Sequence, residues 1–183
     1  MTDAQNLPLS GTKVVEFTHM VMGPTVGCIL ADLGAEVIKI EPLKGDNTRR
    51  LKGSGSGYFP MFNRNKRSIT LDLKSERGKK VFHRLVKTAD VLVQNFRPGV
   101  VDRIGVGEAA IREVAPDIIY VSISGFGEKG PYKGKPTYDP LIQAVSGLAS
   151  VQGGSDENRP RLVRTIVPDK VTALTASQAI TAA

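Results

Sequence analysis

Residues 13–41, KVVEFTHMVMGPTVGCILADLGAEVIKIE, decide the fold. Val14–Phe17 and Val37–Ile40 are short, largely apolar runs rich in β-branched residues, which is typical of strands. The residues between them repeat apolar side chains at helical spacing, with Pro24 at the first helical position and Gly34 after the last. The stretch therefore predicts a strand, a helix and a second strand.

The same pattern recurs downstream. Ile69–Leu73 has the composition of a strand, and Ser75 can cap a helix that carries basic residues opposite one apolar face. Val91–Val93 predicts the next strand, a short helix follows around Ala109–Val114, and the continuous apolar run Ile118–Ile123 is typical of a strand buried on both faces. Repeated strand-helix-strand units predict an α/β fold with a doubly wound parallel sheet.

Two glycine- and proline-rich stretches, residues 42–60 and 125–140, interrupt this rhythm. Long loops in compact domains are often functional, and ligands of open parallel sheets bind beyond the carboxyl ends of the strands. We therefore expect both loops on the ligand side of the sheet. The run of glycines at residues 53–57 is not followed by Gly-Lys-Ser/Thr, so a flexible loop is favoured there over a phosphate-binding loop.

The composition of the chain limits the classes of protein to which it can belong. With 183 residues, 40% of them hydrophobic and 23% charged, the chain has the composition of one globular domain. Its single cysteine, Cys28, cannot form an internal disulfide or supply a zinc cluster. Residues 1–8 lack the layout of a signal peptide and no apolar stretch is long enough to span a membrane, which predicts a cytoplasmic protein.

Basic residues are concentrated in one part of the chain. Residues 39–87 hold 14 Lys and Arg against 4 Asp and Glu, whereas the whole chain has a net charge of only +7. Such a block attracts nucleic acid, an acidic membrane surface or a phosphorylated small molecule. Nucleic acid is disfavoured because aromatic residues make up 5% of the chain and Trp is absent. A solvated basic face remains the alternative.

Few residues are arranged for catalysis. No serine lies in a nucleophile elbow, and neither His19 nor His83 accompanies an obvious nucleophile. His19 is interpreted as a structural histidine, His83 as an exposed residue and Cys28 as a buried, inert thiol. Residues 18–24 do place backbone amides at a helix N-terminus, which suits a phosphate or thioester oxygen.

Two carboxylates remain. Asp169 lies at the start of the last predicted helix, residues 168–183, where the helix dipole is expected to lower its pKa. Local sequence alone favours an ordinary helix-terminal carboxylate there and a turn residue at Asp139. No residue of a helix stop signal closes that last helix, so we expect either part of a longer polypeptide or a frayed natural tail.

Five segments together are similar to the class III CoA-transferases, a family that includes formyl-CoA:oxalate and carnitine CoA-transferases. The resemblance is collinear from Leu9 to Ala183, and members of this family are considerably longer. Residues 1–183 therefore resemble the N-terminal portion of the family's large CoA-binding, Rossmann-like domain. The segments are VMGP at 21–24, LADLGAEVIKIEP at 30–42, NKRSITLDLK at 65–74, NFRPG at 95–99 and SGFGEKGP at 124–131.

The resemblance implies coenzyme A as a substrate, carried as acyl-CoA, with a small carboxylic acid as the second substrate. It implies that Asp169, in the sequence VPDK at 167–170, is the catalytic carboxylate and forms a covalent acyl intermediate, with no metal needed. It also implies a homodimer of full-length chains, with neither nucleic acid nor membrane as a partner. The positions that correspond to CoA contacts are Val21, Met22, Lys74, Asn95, Phe96 and Arg103.

Two features qualify this resemblance. Pro42 stands where formyl-CoA transferase has an arginine, so that Lys44, Arg49 or Arg50 would have to contact the nucleotide phosphates. A sister branch, the α-methylacyl-CoA racemases, has a histidine where this sequence has Tyr138, which favours transfer over racemisation because a racemase needs an acid and a base. An α-methylacyl-CoA racemase and a truncated, non-catalytic CoA-binding module remain the alternatives.

Overall fold

The computed structural model describes residues 7–183, apart from the side chain of Ser54. Its strands are β1 (Lys13–Phe17), β2 (Glu36–Glu41), β3 (Arg67–Thr70), β4 (Val91–Gln94) and β5 (Ile119–Ser122). They form one parallel sheet in the order β3-β2-β1-β4-β5. The chain starts in the middle and winds outward in both directions, as in the doubly wound α/β fold, which confirms the predicted fold class.

Helices connect and cover the strands. Two short 3-10 helices, Asn47–Arg50 and Gly53–Gly55, lie between β2 and β3. The α-helices are α1 (Met22–Asp32), α2 (Tyr58–Phe62), α3 (Glu76–Val86), α4 (Val100–Arg103), α5 (Glu108–Arg112), α6 (Asp139–Val145), α7 (Leu148–Gly153) and α8 (Val167–Ala182).

The sheet has a hydrophobic core on each face because successive strand residues point in opposite directions. Val14 belongs to the core on the side of α1 and α8, and Val15 belongs to the core on the side of α3, α4 and α5. In the central strand Val15 lies opposite Ile38 of β2 and Leu92 of β4. Two-sided burial explains the apolar run in β4, whereas β1 and β2 also bury the charged residues Glu16, Lys39 and Glu41.

Local signals set several of the helix boundaries. Helix α1 ends before Gly34, whose φ of +105° is a conformation that only glycine adopts easily. The Ser75 hydroxyl accepts a hydrogen bond from the Gly78 N–H at 3.1 Å and so caps α3 as predicted. The last helix, α8, also covers the predicted range.

Three expectations need correction. The strand predicted at residues 69–73 lies at Arg67–Thr70, because this edge strand is exposed and the next apolar residues, Leu71 and Leu73, instead pack into the core beyond its end. Strand β5 is not buried on both faces, since it is the opposite edge and is only partly covered. The predicted loop at 42–60 contains both 3-10 helices and the start of α2.

None of the helices among residues 7–183 is long and apolar enough to cross a membrane. The predicted absence of a signal peptide rests on residues 1–8, of which 1–6 lie outside the described residues. Cys28 is buried within α1 with a free thiol, as expected, and burial raises its pKa above the ordinary value.

Candidate functional site

A cleft opens at the carboxyl ends of β1, β4 and β5, where a doubly wound sheet binds its ligands. The segments that follow β1 and β4 form two of its walls, and the glycine-rich loop after β5 forms a third. Asp169, from the first turn of α8, also lines this cleft, whose volume is about 130 Å³. Among its lining residues are His19, Met20, Val21, Met22, Asn95, Phe96, Arg97, Gly125, Tyr138 and Asp169.

The cleft continues as a groove along the same edge of the sheet. A second cleft of about 560 Å³ shares His19 and Phe96 with the first and reaches Pro42. A third, of about 530 Å³, again includes Phe96 and Pro42 and extends to Lys74. The three clefts thus adjoin one another from Asp169 to Lys74, with Phe96 bordering all of them.

The wall after β1 is a turn at residues 18–21, and the side chain of Asn95 holds it at two points. The His19 backbone N–H donates to Asn95 Oδ1 at 3.0 Å, and Asn95 Nδ2 donates to the His19 carbonyl oxygen at 2.9 Å. Met20 then adopts a left-handed conformation with φ of 65°, which is uncommon for a residue with a side chain. The turn is therefore fixed by its neighbours rather than by local preference.

The turn leads directly into α1. Val21 is the N-cap residue of α1, and no side chain caps this helix start among the described residues. A side chain at Gly23 would approach the Thr18 Cβ to 2.7 Å and the Asn95 Cγ to 2.9 Å, so glycine permits the close approach of helix and turn. Because the first N–H groups of a helix lack intrahelical partners, this end of the cleft presents donors and a partial positive charge.

Asp169 opposes this helix start from α8. Its backbone N–H donates to Asp139 Oδ2 at 3.1 Å, which places two carboxylates side by side. Burial, followed by the negative charge of Asp139, raises the pKa of Asp169 to about 6. The expected lowering of this pKa by the helix dipole is therefore wrong, because burial and the second carboxylate outweigh the dipole.

Asp139 is a buried residue at the start of α6, not the turn residue that local sequence suggested. Its other oxygen accepts a hydrogen bond from Gln143 Nε2 at 2.6 Å. Gln143, also buried, donates to the Thr165 carbonyl oxygen at 3.1 Å and accepts from the Val163 N–H at 2.8 Å. Gln143 therefore ties Asp139 to the segment that leads into α8 and supports the position of Asp169.

A buried ionic cluster lies beneath the β1 side of the groove. We call the side chains of Glu16, Lys39, Asp46 and Lys66 the ionic cluster; none is more than 3% exposed. Lys66 Nζ lies 2.8 Å from Glu16 Oε1, and Lys39 Nζ lies 3.1 Å from Asp46 Oδ2 and 3.7 Å from Glu16 Oε1. Two cations thus meet two anions, which offsets part of the desolvation cost of each.

Burial of these lysines changes the interpretation of the basic block. Lys39 and Lys66 are internal, and burial lowers the pKa of Lys66 despite the neighbouring Glu16. Arg49 is also engaged, because its Nε donates to Glu41 Oε2 at 2.8 Å. Although burial raises the pKa of Glu41, its hydrogen bonds, that from Arg49 foremost, lower it to about 2.

The residues implied by the resemblance are distributed along the groove. Asp169, Val21, Met22, Asn95 and Phe96 line its first cleft, and Lys74 lines the far cleft.

Arg103, in contrast, is exposed at the end of α4 and lines none of the three clefts. Of the three residues considered in place of the arginine, Lys44 lines the far cleft, whereas Arg49 and Arg50 line none of the three clefts. Arg50 donates to the Lys44 carbonyl oxygen at 2.7 Å. Arg49 is held by Glu41.

Two residues that the sequence analysis did not assign to the site, His19 and Arg97, line the clefts. His19 lines two of the clefts, and partial desolvation there lowers its pKa below the ordinary value. Arg97 lines the same two clefts and is exposed; its place directly after Asn95 and Phe96 was the available signal. His83, expected to be exposed, is partly buried within α3.

Comparison with known proteins defines the class to which this fold and site belong. The family model for CoA-transferase family III matches residues 9–183, and the chain belongs to that family. Acetyl-CoA:oxalate CoA-transferase of Acetobacter aceti is 43% identical over 166 residues, which are 88% of this chain and 43% of that protein. Human succinyl-CoA:glutarate CoA-transferase is 41% identical over 189 residues, covering 99% of this chain and 42% of that protein.

Solved structures agree with this assignment. The crystal structure of a CAIB/BAIF family protein from Brucella suis superposes with a TM-score of 0.89 at 39% identity, covering 97% of this chain and 49% of that one. This chain therefore spans about half the length of the relatives it matches or less. Among residues 7–183, no group of three or more His, Cys, Asp or Glu side chains is arranged to hold a metal ion.

Proposed function

We propose that this chain is the N-terminal portion of a CoA-binding domain and that the protein transfers CoA from an acyl-CoA donor to a small carboxylic acid. The observation that carries the proposal is that Asp169 lines the same cleft as the uncapped start of α1 and the Asn95–Phe96 segment. The relatives named above are transferases of this type, with oxalate or glutarate in their names.

The chemistry needs only a carboxylate nucleophile. The Asp169 carboxylate attacks the thioester carbonyl carbon, the carbon–sulfur bond breaks, and a mixed anhydride and CoA thiolate result. The acceptor carboxylate then attacks the aspartyl carbonyl of that anhydride and displaces the donor carboxylate. Attack of the thiolate on the acceptor's carbonyl finally yields the new thioester and restores Asp169.

The environment of Asp169 suits this role. A pKa of about 6 leaves the carboxylate mostly ionised at pH 7, yet makes it a stronger nucleophile than an ordinary aspartate. Polarised N–H groups at the start of α1 lie in the same cleft, where they can stabilise the oxyanion that develops on the thioester. No histidine base is required, because a carboxylate nucleophile is already ionised when it attacks.

The groove supports CoA as the donor's carrier. It runs from Asp169 past Phe96 to Lys74, so an elongated molecule bound with its thioester at Asp169 would extend its nucleotide toward β3. Arg97 and Lys74 are cations along this route and are candidates for the phosphates, with Lys44 beside Lys74. We assign Val21, Met22, Asn95 and Phe96 to the thioester end.

The decisive experiment traps the intermediate. The protein is incubated with a panel of acyl-CoAs and quenched with hydroxylamine, and modified carboxylates are mapped by peptide mass spectrometry. We expect a hydroxamate at Asp169 and at no other carboxylate. Asp169→Ala should abolish both the hydroxamate and transfer while leaving the Kd for CoA within about twofold of the wild-type value.

Other outcomes would select the alternatives. Exchange of the α-proton of a 2-methylacyl-CoA without CoA transfer would identify a racemase, for which His19 and Tyr138, both lining the first cleft, would be acid-base candidates. Binding of CoA with no modified carboxylate under any donor would identify a non-catalytic module.

We further propose a homodimer of the full-length protein, as the family resemblance implies, and a cytoplasmic location, as the sequence composition predicts. Light scattering after size-exclusion chromatography tests the dimer, and a monomeric mass at micromolar concentration would contradict it.

A further inference from the structure

We propose that Lys39 is a positioning residue that fixes the separation of the two walls of the CoA groove. The inference rests on the proposed function only in assigning CoA to that groove. It is drawn from the position of Lys39 within the ionic cluster, because its ammonium group contacts both walls while lining none of the three clefts itself.

One wall is the turn after β1. Lys39 Nζ donates to the Thr18 carbonyl oxygen at 2.8 Å, directly before His19 and the left-handed Met20. Asn95 holds the same turn from the β4 side. Lys39 therefore supports this turn from β2. In the parallel pairing of β1 and β2, Lys39 lies opposite Glu16, which brings its side chain close to the end of β1.

The other wall is the segment after β2. Lys39 Nζ lies 3.1 Å from Asp46 Oδ2, and Asp46 precedes Asn47, which borders the second and third clefts. Asp46 is itself fixed, because its Oδ1 accepts from the Thr48 N–H at 2.9 Å and its own N–H donates to Glu41 Oε2 at 2.7 Å. These contacts hold Asp46, and with it Lys39, in one place.

An ammonium group suits this position because it has three donors and no acceptor. Thr18, Asp46 and Glu16 each supply one oxygen within 3.7 Å of it. Replacing Lys39 with methionine would remove the bond to the Thr18 carbonyl and leave Asp46 without its cation. Each wall would keep its own contacts, from Asn95 and from Thr48 and Glu41. The link between the walls would be lost where the second cleft contacts Thr18 on one side and Asp46 on the other.

Lys66 provides a matched control. Its side chain is as buried as that of Lys39 and pairs with the same Glu16 oxygen, at 2.8 Å. Its other hydrogen bonds go to the Pro24 carbonyl oxygen at 2.7 Å and to Asn63 Oδ1 at 3.3 Å, not to Thr18 or Asp46. Lys66→Met therefore removes a buried cation from the ionic cluster and one bond to the first turn of α1, while the contacts to Thr18 and Asp46 stay in place. A merely structural role for Lys39 predicts the same result for both variants.

The experiment compares Lys39→Met and Lys66→Met with wild-type protein in two measurements. The first is the chemical shift of 13C-methyl-labelled methionine, since Met20 and Met22 line the first cleft whereas Met61 does not. The second is the Kd for CoA by titration calorimetry, together with KM and kcat where turnover is observed. Thermal melts establish that both variants remain folded.

We expect the Met20 signal to move in Lys39→Met and to stay in place in Lys66→Met, whereas Met22, two residues before Pro24, can respond to either variant. The Kd for CoA should rise about tenfold or more in Lys39→Met, with KM rising more than kcat falls, and about twofold or less in Lys66→Met. Equal changes of the Met20 signal and Kd in the two variants, or an unchanged Met20 signal and Kd in Lys39→Met, would overturn the proposal.

If Lys39→Met does not fold, Asp46→Asn replaces it, because asparagine keeps an acceptor for the Thr48 N–H while removing the charge that faces Lys39. The Met20 signal should then move, by less, and an unchanged Met20 signal would overturn the proposal. Wild-type protein that binds no CoA would refute the proposed function, yet the methionine signals would still test the role of Lys39.

Discussion

The Asp139 side chain accepts a hydrogen bond from the backbone N–H of Asp169 at 3.1 Å, so that one carboxylate positions the residue that carries the other. The bond crosses from the start of α6 to the first turn of α8. It holds α8 in a position that places Asp169 in the cleft. It also keeps a negative charge beside Asp169, which makes that carboxylate harder to ionise.

Asp139→Asn should move the pH dependence of transfer. Removing the Asp139 charge lowers the pKa of Asp169 from about 6 toward its ordinary value, because only the contribution of burial then remains. The acid limb of the kcat/KM profile should therefore shift to lower pH, by up to about one unit. An unshifted limb would contradict this account, and Asp156→Asn, at an exposed position outside the three clefts, is the control.

Asp169→Asn should change how stability depends on pH. The pKa of Asp169 is about 6 in the folded protein and 3.8 in the unfolded chain, so between these values the folded state binds more protons. Its contribution to stability is thus present below pH 4 and is lost as the pH rises to about 6. Relative to wild type, the variant should gain about 1 kcal/mol over this interval after allowance for solvent screening. Urea unfolding at pH 4, 5, 6 and 7 provides the measurement, and a constant difference would count against it.

Asn95→Ala should weaken both the fold and the groove. The substitution leaves the His19 N–H and carbonyl without their partners, which costs about 1–3 kcal/mol of unfolding free energy. CoA affinity should fall as well, because the turn that lines the first cleft is released. Asn158→Ala is the matched control, since Asn158 makes one exposed bond of 3.1 Å to the Gly153 carbonyl oxygen and should cost about 0.5 kcal/mol or less. Equal losses in the two variants would refute the special role of Asn95.

Gly27→Ala should be strongly destabilising although the position is helical. A Cβ there would lie 1.8 Å from Glu16 Oε2, within the ionic cluster, and would displace a buried carboxylate. We expect a loss of about 3 kcal/mol in unfolding free energy. Gly57→Ala, with no atom within 4 Å of the added carbon, should change stability by about 0.5 kcal/mol or less, and a similarly small effect at Gly27 would disprove the steric argument.

The sheet could be predicted because its signals are local. Apolar runs of strand length, Pro24, Gly34 and the Ser75 cap all lie within a few residues of the features they specify. The shift of β3 to Arg67–Thr70 has a different cause, since an exposed edge strand does not require apolar residues. Its position depends on pairing with β2, which local composition does not report.

The site was less predictable because its key contacts join distant residues. Asp139 and Asp169 are 30 positions apart, and Gln143 reaches Thr165 across 22. Local sequence alone therefore favoured a routine carboxylate at Asp169 and a turn residue at Asp139. Lys66 likewise has the local sequence of a surface residue. Its burial depends on the bond to Glu16, which lies 50 positions earlier in the chain.

The ionic cluster also shapes how the groove meets a charged ligand from a distance. Its two ammonium groups and two carboxylates cancel, so the floor of the groove projects little long-range potential. The approach of a polyanion is then governed by exposed cations on the rim, such as Arg97 and Lys135. Dissolved salt screens those charges beyond about 8 Å at physiological ionic strength, whereas it scarcely reaches the buried pairs. Salt should therefore slow the arrival of such a ligand without loosening the walls that receive it.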